Sequence, residues 1–403
     1  MSTNRKKAFS TRSIHTGEPT DPATQAVEPS LVLSTNFVFN PDEAGFSAET
    51  LSDKTPNVYA RWSTPNVRAL EEKLADLEEG EDALCFASGM AAISALILGT
   101  LHSGDHLVLS DVCYAGVSEL ARNTLPGFGI EVTTANFSDL EAVAAAVKSN
   151  TKLLWAESPC NPILRLTDIA AVAEIAHNAG AQLGVDSTMA TPVATRPLTL
   201  GADLVAHSLT KYLNGHGDAL GGAIIGRKEA LGKLRQGALI HFGGALSPFN
   251  AWLIRRGLHT LEVRMKAHQE KALHVASYLE SHAAIKRVIY PGLASHPQYA
   301  LAQRQMSNAS GMLTFQTKED GVEVARRFYR KLQDFTYAVS LGKQRSLLFY
   351  IPTEDILKSS FSLEGAALDS YKDFAGEGIF RVSIGLEDAE DLCVDLDQAL
   401  RKD

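Results

Sequence analysis

Asp203-Leu-Val-Ala-His-Ser-Leu-Thr-Lys-Tyr-Leu-Asn-Gly-His-Gly217 decides the reading of this chain. A short apolar run rich in β-formers carries Ser208, Thr210 and Lys211 into a turn that ends in glycines. Lysine has no intrinsic preference for such a turn. An amine held at a strand end can form an imine, and hydroxyls beside it can hold a phosphate. Pyridoxal phosphate (PLP) needs both. The alternative for this run alone is a solvated loop lysine, so the rest of the sequence has to decide.

Working outward, short apolar segments alternate with helical patterns. Asp82 to Phe86, His106 to Leu109, Ile130 to Thr134, Lys152 to Glu157, Gln182 to Asp186, Asp203 to His207 and Gly222 to Ile225 read as strands. They lack polar alternation, as expected of a largely parallel sheet covered by helices on both faces. Thr64-Pro65 predicts a helix start, Leu70, Leu74 and Leu77 an apolar stripe, and Gly80 its end. Pro248 to about Leu279 reads as one long helical stretch. The spacing predicts three parts: an extended arm over 1–62, a cofactor-binding domain over 63–256, and a smaller α/β domain over 257–403.

Composition bounds the function. The 403 residues are too many for one core, and 45% hydrophobic with 21% charged residues is ordinary for a globular protein. A net charge of −9 argues against a nucleic-acid or anionic-membrane partner. No apolar run is long enough for a signal peptide or a membrane span. The four cysteines have no CxxC spacing and read as reduced thiols, consistent with the cytoplasm. The 12 histidines form no recognisable ligand set, so no metal is expected.

Several strand exits carry candidate chemistry, each with a plainer alternative. Ser88-Gly89-Met90 opens a helix and can offer free N–H groups to a phosphate, or be an ordinary tight turn. Asp186 can pair with a protonated ring nitrogen, or cap a helix. Asn161, held between Cys160 and Pro162, can reach a ring hydroxyl, or be a turn asparagine. Tyr114 can stack on an aromatic cofactor and move protons, or simply pack. Arg381, among apolar neighbours, needs an anionic partner, either a substrate carboxylate or a structural Asp or Glu. Tyr59 and Arg61 on the arm can complete a site in a neighbouring subunit, or form a surface pair.

The order and spacing of these motifs resemble the Cys/Met-metabolism family of PLP enzymes. That family includes cystathionine γ-synthase, cystathionine γ-lyase, methionine γ-lyase and O-acetylhomoserine sulfhydrylase. The resemblance runs from about Thr11 to the C-terminus. It rests on residues 203–217, Thr11-Arg-Ser-Ile-His15, Tyr59-Ala-Arg61, Ser88-Gly-Met90, Leu246-Ser-Pro-Phe249, Arg256-Gly-Leu258 and Ser383-Ile-Gly-Leu-Glu387. It implies a PLP-dependent transferase of fold type I, with a mostly parallel seven-stranded sheet and a smaller C-terminal α/β domain. By the same resemblance Lys211 would carry the Schiff base. Ser88, Gly89, Met90, Ser208 and Thr210 would hold the phosphate, with Tyr59 and Arg61 from a partner subunit of a homotetramer. Asp186 would face the ring nitrogen, Tyr114 would stack on the ring, and Asn161 would contact its hydroxyl. Arg381 and Ser340 would hold the substrate carboxylate. The implied reaction is γ-elimination through a PLP-bound vinylglycine, with Lys211 as base and Tyr114 or Lys211 as acid; γ-replacement is the alternative. A silent fold relative acting as a scaffold is the competing class, and joint retention of Lys211, Asp186, Tyr114 and Arg381 weighs against it.

The chain departs from the family after Ser340-Leu-Gly342. The usual His-Pro-Ala and Met-Thr-His elements are absent, and Ser346-Leu-Leu-Phe-Tyr-Ile-Pro-Thr-Glu-Asp-Ile356 stands there. Asp186-Ser-Thr-Met189 replaces Asp-Asn-Thr-Phe. Position 339 is Val where cystathionine-cleaving relatives tend to carry glutamate, and position 116 is Gly where methionine γ-lyases typically have cysteine. Glu354 and Asp355 can therefore bind a cationic distal group, such as the guanidino-oxy group of canavanine, or else cap a helix or face water.

Overall fold

Thr64 starts the first long helix as its sequence predicts. Its hydroxyl accepts the N–H of Val67, and Pro65 opens the helix Pro65–Glu78. Leu70, Leu74 and Leu77 are buried along one stripe. The end differs from expectation: Glu79, not Gly80, takes the left-handed conformation, at φ 62°. Gly80 is needed for contact instead, since a Cβ there would lie 2.5 Å from Ile225 Cγ2. The computed structural model describes residues 6–40, 42, 47–52 and 54–402.

Seven strands form the large sheet: β1 (Asp82–Phe86), β2 (His106–Ser110), β3 (Glu131–Ala135), β4 (Thr151–Glu157), β5 (Gln182–Asp186), β6 (Leu204–Ser208) and β7 (Gly222–Gly226). Their order is β1-β7-β6-β5-β4-β2-β3. β3, β2, β4, β5 and β6 pair in parallel, and β7 runs antiparallel to both neighbours. Apart from the edge strand β3, where only Ala135 is buried, these strands are almost wholly buried, which explains their apolar runs. A smaller mixed sheet follows: β8 (Ile285–Ile289), β9 (Met312–Thr317), β10 (Thr336–Tyr337), β11 (Leu347–Pro352) and β12 (Gly378–Ser383), in the order β10-β11-β12-β9-β8. Phe380 anchors its core, stacked on Phe315 at 5.0 Å and edge-on to Phe328 at 5.1 Å. Each such buried ring contributes about 1.5–3 kcal/mol.

The long helical stretch is two helices, Pro248–Leu258 and Leu261–Ser281, broken at His259 and Thr260. The carbonyl of Gly257 is diverted: it accepts from Arg264 Nη2 at 2.7 Å and weakly from Thr260 N–H at 3.3 Å. The helix Pro248–Leu258 crosses the expected boundary at 256/257. The N-terminal segment is not extended throughout, because Phe9–His15 is helical. That segment is pinned to the body by Glu18, whose Oε1 lies 2.9 Å from the buried Lys73 Nζ and 3.2 Å from Arg255 Nε. No helix among the described residues is long and apolar enough to cross a membrane. All four cysteines are buried free thiols.

Candidate active site

The C-terminal ends of the central strands converge, as α/β topology requires of a ligand site. The segment after β6 delivers Lys211, those after β2 and β4 deliver Tyr114 and Asn161, and β5 ends in Asp186. The smaller sheet supplies Arg381 from β12 and Ser340 from the loop before β11.

At one end of this cleft, Ser88 caps the helix Gly89–Thr100, its Oγ accepting the Ala91 N–H at 3.1 Å. The first-turn N–H groups of Gly89 and Met90 have no carbonyl within their own helix to bind, and they sit at its positive end. A Cβ on Gly89 would lie 2.9 Å from Ser208 Cβ, and one on Gly222 would lie 2.1 Å from the Ser88 carbonyl. Backbone therefore meets backbone here, and β6, β7 and the helix start form a tight cradle. Thr210 Oγ1 exchanges bonds with the Gly221 backbone at 3.2 and 3.3 Å. A relay joins this cradle to Asp186: Oδ1 accepts the Thr188 N–H at 2.9 Å, and Thr188 Oγ1 accepts the Ser208 N–H at 2.9 Å. Asp186 is buried, and burial raises its pKa above the usual carboxylate value. A cationic ring nitrogen is the kind of partner that reverses such a shift.

Lys211 Nζ donates to Ser340 Oγ at 3.0 Å. Burial, then the charges of Arg381 and Lys343, lower its pKa from 10.5 to about 8. Ser340 itself sits at φ +85°, a strained conformation for a serine. Arg381 is buried, and its partners are neutral. Nη1 donates to Asn161 Oδ1 at 2.7 Å, Nη2 to the Ser340 carbonyl at 3.0 Å, and the guanidinium lies 4.5 Å from the Phe349 ring centre. The structural Asp or Glu weighed as an alternative partner is not there: no carboxylate pairs with it among the described residues. Burial lowers its pKa to about 10, so an incoming carboxylate supplies the missing charge.

Tyr114 stands at the N-cap position of the helix Ala115–Asn123 and is 47% exposed rather than packed away. A Cβ at position 116 would lie 3.0 Å from the Tyr114 ring and 3.2 Å from Met90 Sδ, so glycine there leaves both free to adjust. The amine, the N–H cradle and the buried carboxylate together fit a phosphorylated pyridine aldehyde.

Two pairs of residues from the sequence reading lie apart from this cluster. Arg61 donates to the Ile240 carbonyl at 2.7 Å and lies over the Tyr59 ring, and neither residue bonds to Lys211. Glu354 and Asp355 are exposed on the first turn of the helix Thr353–Ser359, where Glu354 pairs with Lys358. Neither carboxylate contacts Lys211, Ser340 or Arg381. Conversely, Glu157 and Phe349 belong to the cluster and carried no role in the sequence reading. A carboxylate ending an otherwise apolar strand was the available signal for Glu157. Phe349 had none, since it acts through its β11–β12 register with Arg381.

Comparison with known proteins agrees with this geometry. A family model described as Cys/Met metabolism PLP-dependent enzyme matches residues 10–401. The chain is 41% identical to a canavanine γ-lyase of Rhizobium leguminosarum, covering 98% of this chain and 96% of that protein. It is 40% identical to an O-succinylhomoserine sulfhydrylase of Pseudomonas aeruginosa (98% and 95% covered). It is 39% identical to an L-methionine γ-lyase of Treponema denticola (98% of each). The crystal structure of metB from Corynebacterium glutamicum superposes with a TM-score of 0.87 at 36% identity, covering 98% of both chains.

Proposed function

Since the chain belongs to the Cys/Met metabolism family of PLP-dependent enzymes, we propose that it is a lyase that eliminates the γ-substituent of an L-amino acid. Sulfur substrates such as methionine, homocysteine and cystathionine are in range, and so is the oxygen-linked canavanine. The observation that carries the reading is Lys211, a desolvated amine beside a buried Arg381 with which no carboxylate forms an ion pair among the described residues.

In this reading Lys211 is the attachment point for PLP, and the Gly89 and Met90 N–H groups hold the phosphate with Ser88, Ser208 and Thr210. Asp186 faces the ring nitrogen, Asn161 the ring hydroxyl and Tyr114 the ring plane. When bound, PLP supplies a sink for the electrons released at the substrate α-carbon. Arg381 and Ser340 bind the substrate carboxylate and so set which Cα bond faces Lys211. An amine with a pKa of about 8 is partly neutral at physiological pH, which suits a base that takes the α- and then the β-proton. Tyr114, reachable from the open side, or Lys211 returns a proton to the leaving group. One water is consumed in releasing the ketoacid, and the products are 2-oxobutanoate, ammonia and the protonated leaving group.

The second reading is γ-replacement on an activated homoserine ester, and 40% identity to an O-succinylhomoserine sulfhydrylase favours it specifically. Product analysis with and without an added thiol separates the two. Ketoacid formed without thiol supports the lyase; turnover that depends on the thiol and yields only a new amino acid supports replacement.

The same proposal makes the protein a cytoplasmic homotetramer, a dimer of dimers in which the 1–62 arm reaches the neighbouring subunit. Tyr59 and Arg61 then join the partner's phosphate site. Val27, Leu33 and Val38 on the arm are 78%, 64% and 99% exposed in the single chain, which favours a covering subunit. Mixing Arg61→Ala with Lys211→Ala protein tests it: shared sites regain activity in the mixture, and separate sites do not.

A further inference from the structure

The carboxylate of Glu157 ends β4, is 5% exposed, and has no ion-pair partner among the described residues. It also lies beside Asp186 in the register of β4 and β5. Two neighbouring buried carboxylates are costly: burial, followed by the Asp186 charge, pushes Glu157 well above the usual carboxylate range, and the N–H groups of Asn161 and Tyr114 and the Arg381 charge pull back toward the ionised form. What the position offers in return is two backbone donors from different loops. Oε2 accepts the N–H of Tyr114, after β2, and Oε1 accepts the N–H of Asn161, after β4, at 2.8 Å. Asn161 Oδ1 in turn accepts from Arg381 Nη1 at 2.7 Å. One side chain thus links the residues expected at the ring face, the ring hydroxyl and the substrate carboxylate.

We propose that Glu157 is a positioning residue: it fixes the Tyr114 and Asn161 backbones relative to each other and, through Asn161, aims the Arg381 guanidinium. This rests on the PLP reading of the site. The role demands two acceptors on one planar group, and a carboxylate supplies them. Glutamine matches its size but presents an NH2 to one of the two N–H groups, donor against donor. Aspartate keeps both acceptors one methylene short.

The test uses holoenzyme and PLP-stripped protein of wild type, E157Q, E157D, N161A and E157Q/N161A. PLP affinity is read by absorbance titration, the environment of the bound cofactor by its visible circular dichroism, and KM apart from kcat with the substrate the wild type turns over. Leaving a buried N–H against a donor predicts that E157Q weakens PLP binding and raises KM by about tenfold each, with an altered dichroic band. Because Glu157 acts through Asn161, the double variant should lose at least about threefold less than the product of the two single losses. E157Q with PLP affinity, dichroism and KM within about twofold of wild type overturns the proposal, as does full multiplicativity with N161A. If E157Q does not fold, E157D decides. A PLP Kd raised by about threefold or more with unchanged far-UV dichroism supports the role, and an unchanged Kd overturns it. Failure of the wild type itself to take up PLP would instead strike the cofactor reading, and this inference with it.

Discussion

Replacing Lys211 by methionine should stabilise the cofactor-free protein, and only within a defined pH range. Burial, then Arg381 and Lys343, lower the pKa of the amine from 10.5 to about 8. That interval corresponds to roughly 3 kcal/mol of penalty on the charged form. The substitution also removes the bond to Ser340 Oγ, and the amine keeps some solvent, so the net gain falls to about 2 kcal/mol. The sign follows from proton binding. Below pH 8 the amine is charged in both states, and the folded protein bears the whole penalty. As pH rises from about 8 to 10.5, the folded protein has released the proton while the unfolded chain still holds it, so wild-type stability climbs. The advantage of K211M at pH 7 should therefore shrink to near zero by about pH 10. Urea unfolding of both cofactor-free proteins, followed by far-UV circular dichroism at matched concentration, measures it. A K211M protein less stable than wild type at pH 7, or an advantage that ignores pH, would refute the reasoning.

Other expectations follow from single positions. Ser340→Ala and Ser340→Gly both remove the hydroxyl from Lys211 and should lower kcat/KM by about tenfold. Glycine also relieves the backbone at φ +85°, so thermal unfolding should find S340G more stable than S340A by about 1 kcal/mol; equal stability would deny the strain. Gly222→Ala drives a Cβ toward the Ser88 carbonyl and should cost about 1–3 kcal/mol while weakening PLP binding in the same titration. Glu354→Ala and Asp355→Ala should leave kcat/KM for both canavanine and methionine within about twofold, because exposed pairs contribute little. A selective loss with canavanine would instead place the acidic pair in the substrate pocket.

Much of the fold was legible because burial on two faces writes a simple code. The runs from Asp82 to Phe86 and from Gln182 to Asp186 match β1 and β5 residue for residue. Thr64-Pro65 marked a helix start because caps are local chemistry. Direction was not legible. The Gly222–Gly226 strand is as apolar as the central strands that run parallel to one another, and nothing in five residues records that it runs antiparallel to its neighbours. The break at His259 was hidden because the side chain of Arg264, seven residues after Gly257, captures the Gly257 carbonyl. Within the site, residues that face the cleft announced themselves as polar groups at strand ends. Residues that act by holding others, such as Glu157 and Phe349, depend on pairings between distant segments. The acidic pair at 354 and 355 looked informative by composition, yet the helix that carries it gives Glu354 a partner on its own exposed face.

The most direct test of the central claim is to supply PLP-loaded wild type and K211A separately with methionine, homocysteine, cystathionine, O-acetylhomoserine and canavanine. Ketoacid and amino-acid products are followed together. The account predicts 2-oxobutanoate or the freed γ-group from at least one of these with wild type, without added thiol, and none with K211A. Turnover undiminished in K211A, or amino-acid product formed only when a thiol is present, would contradict it.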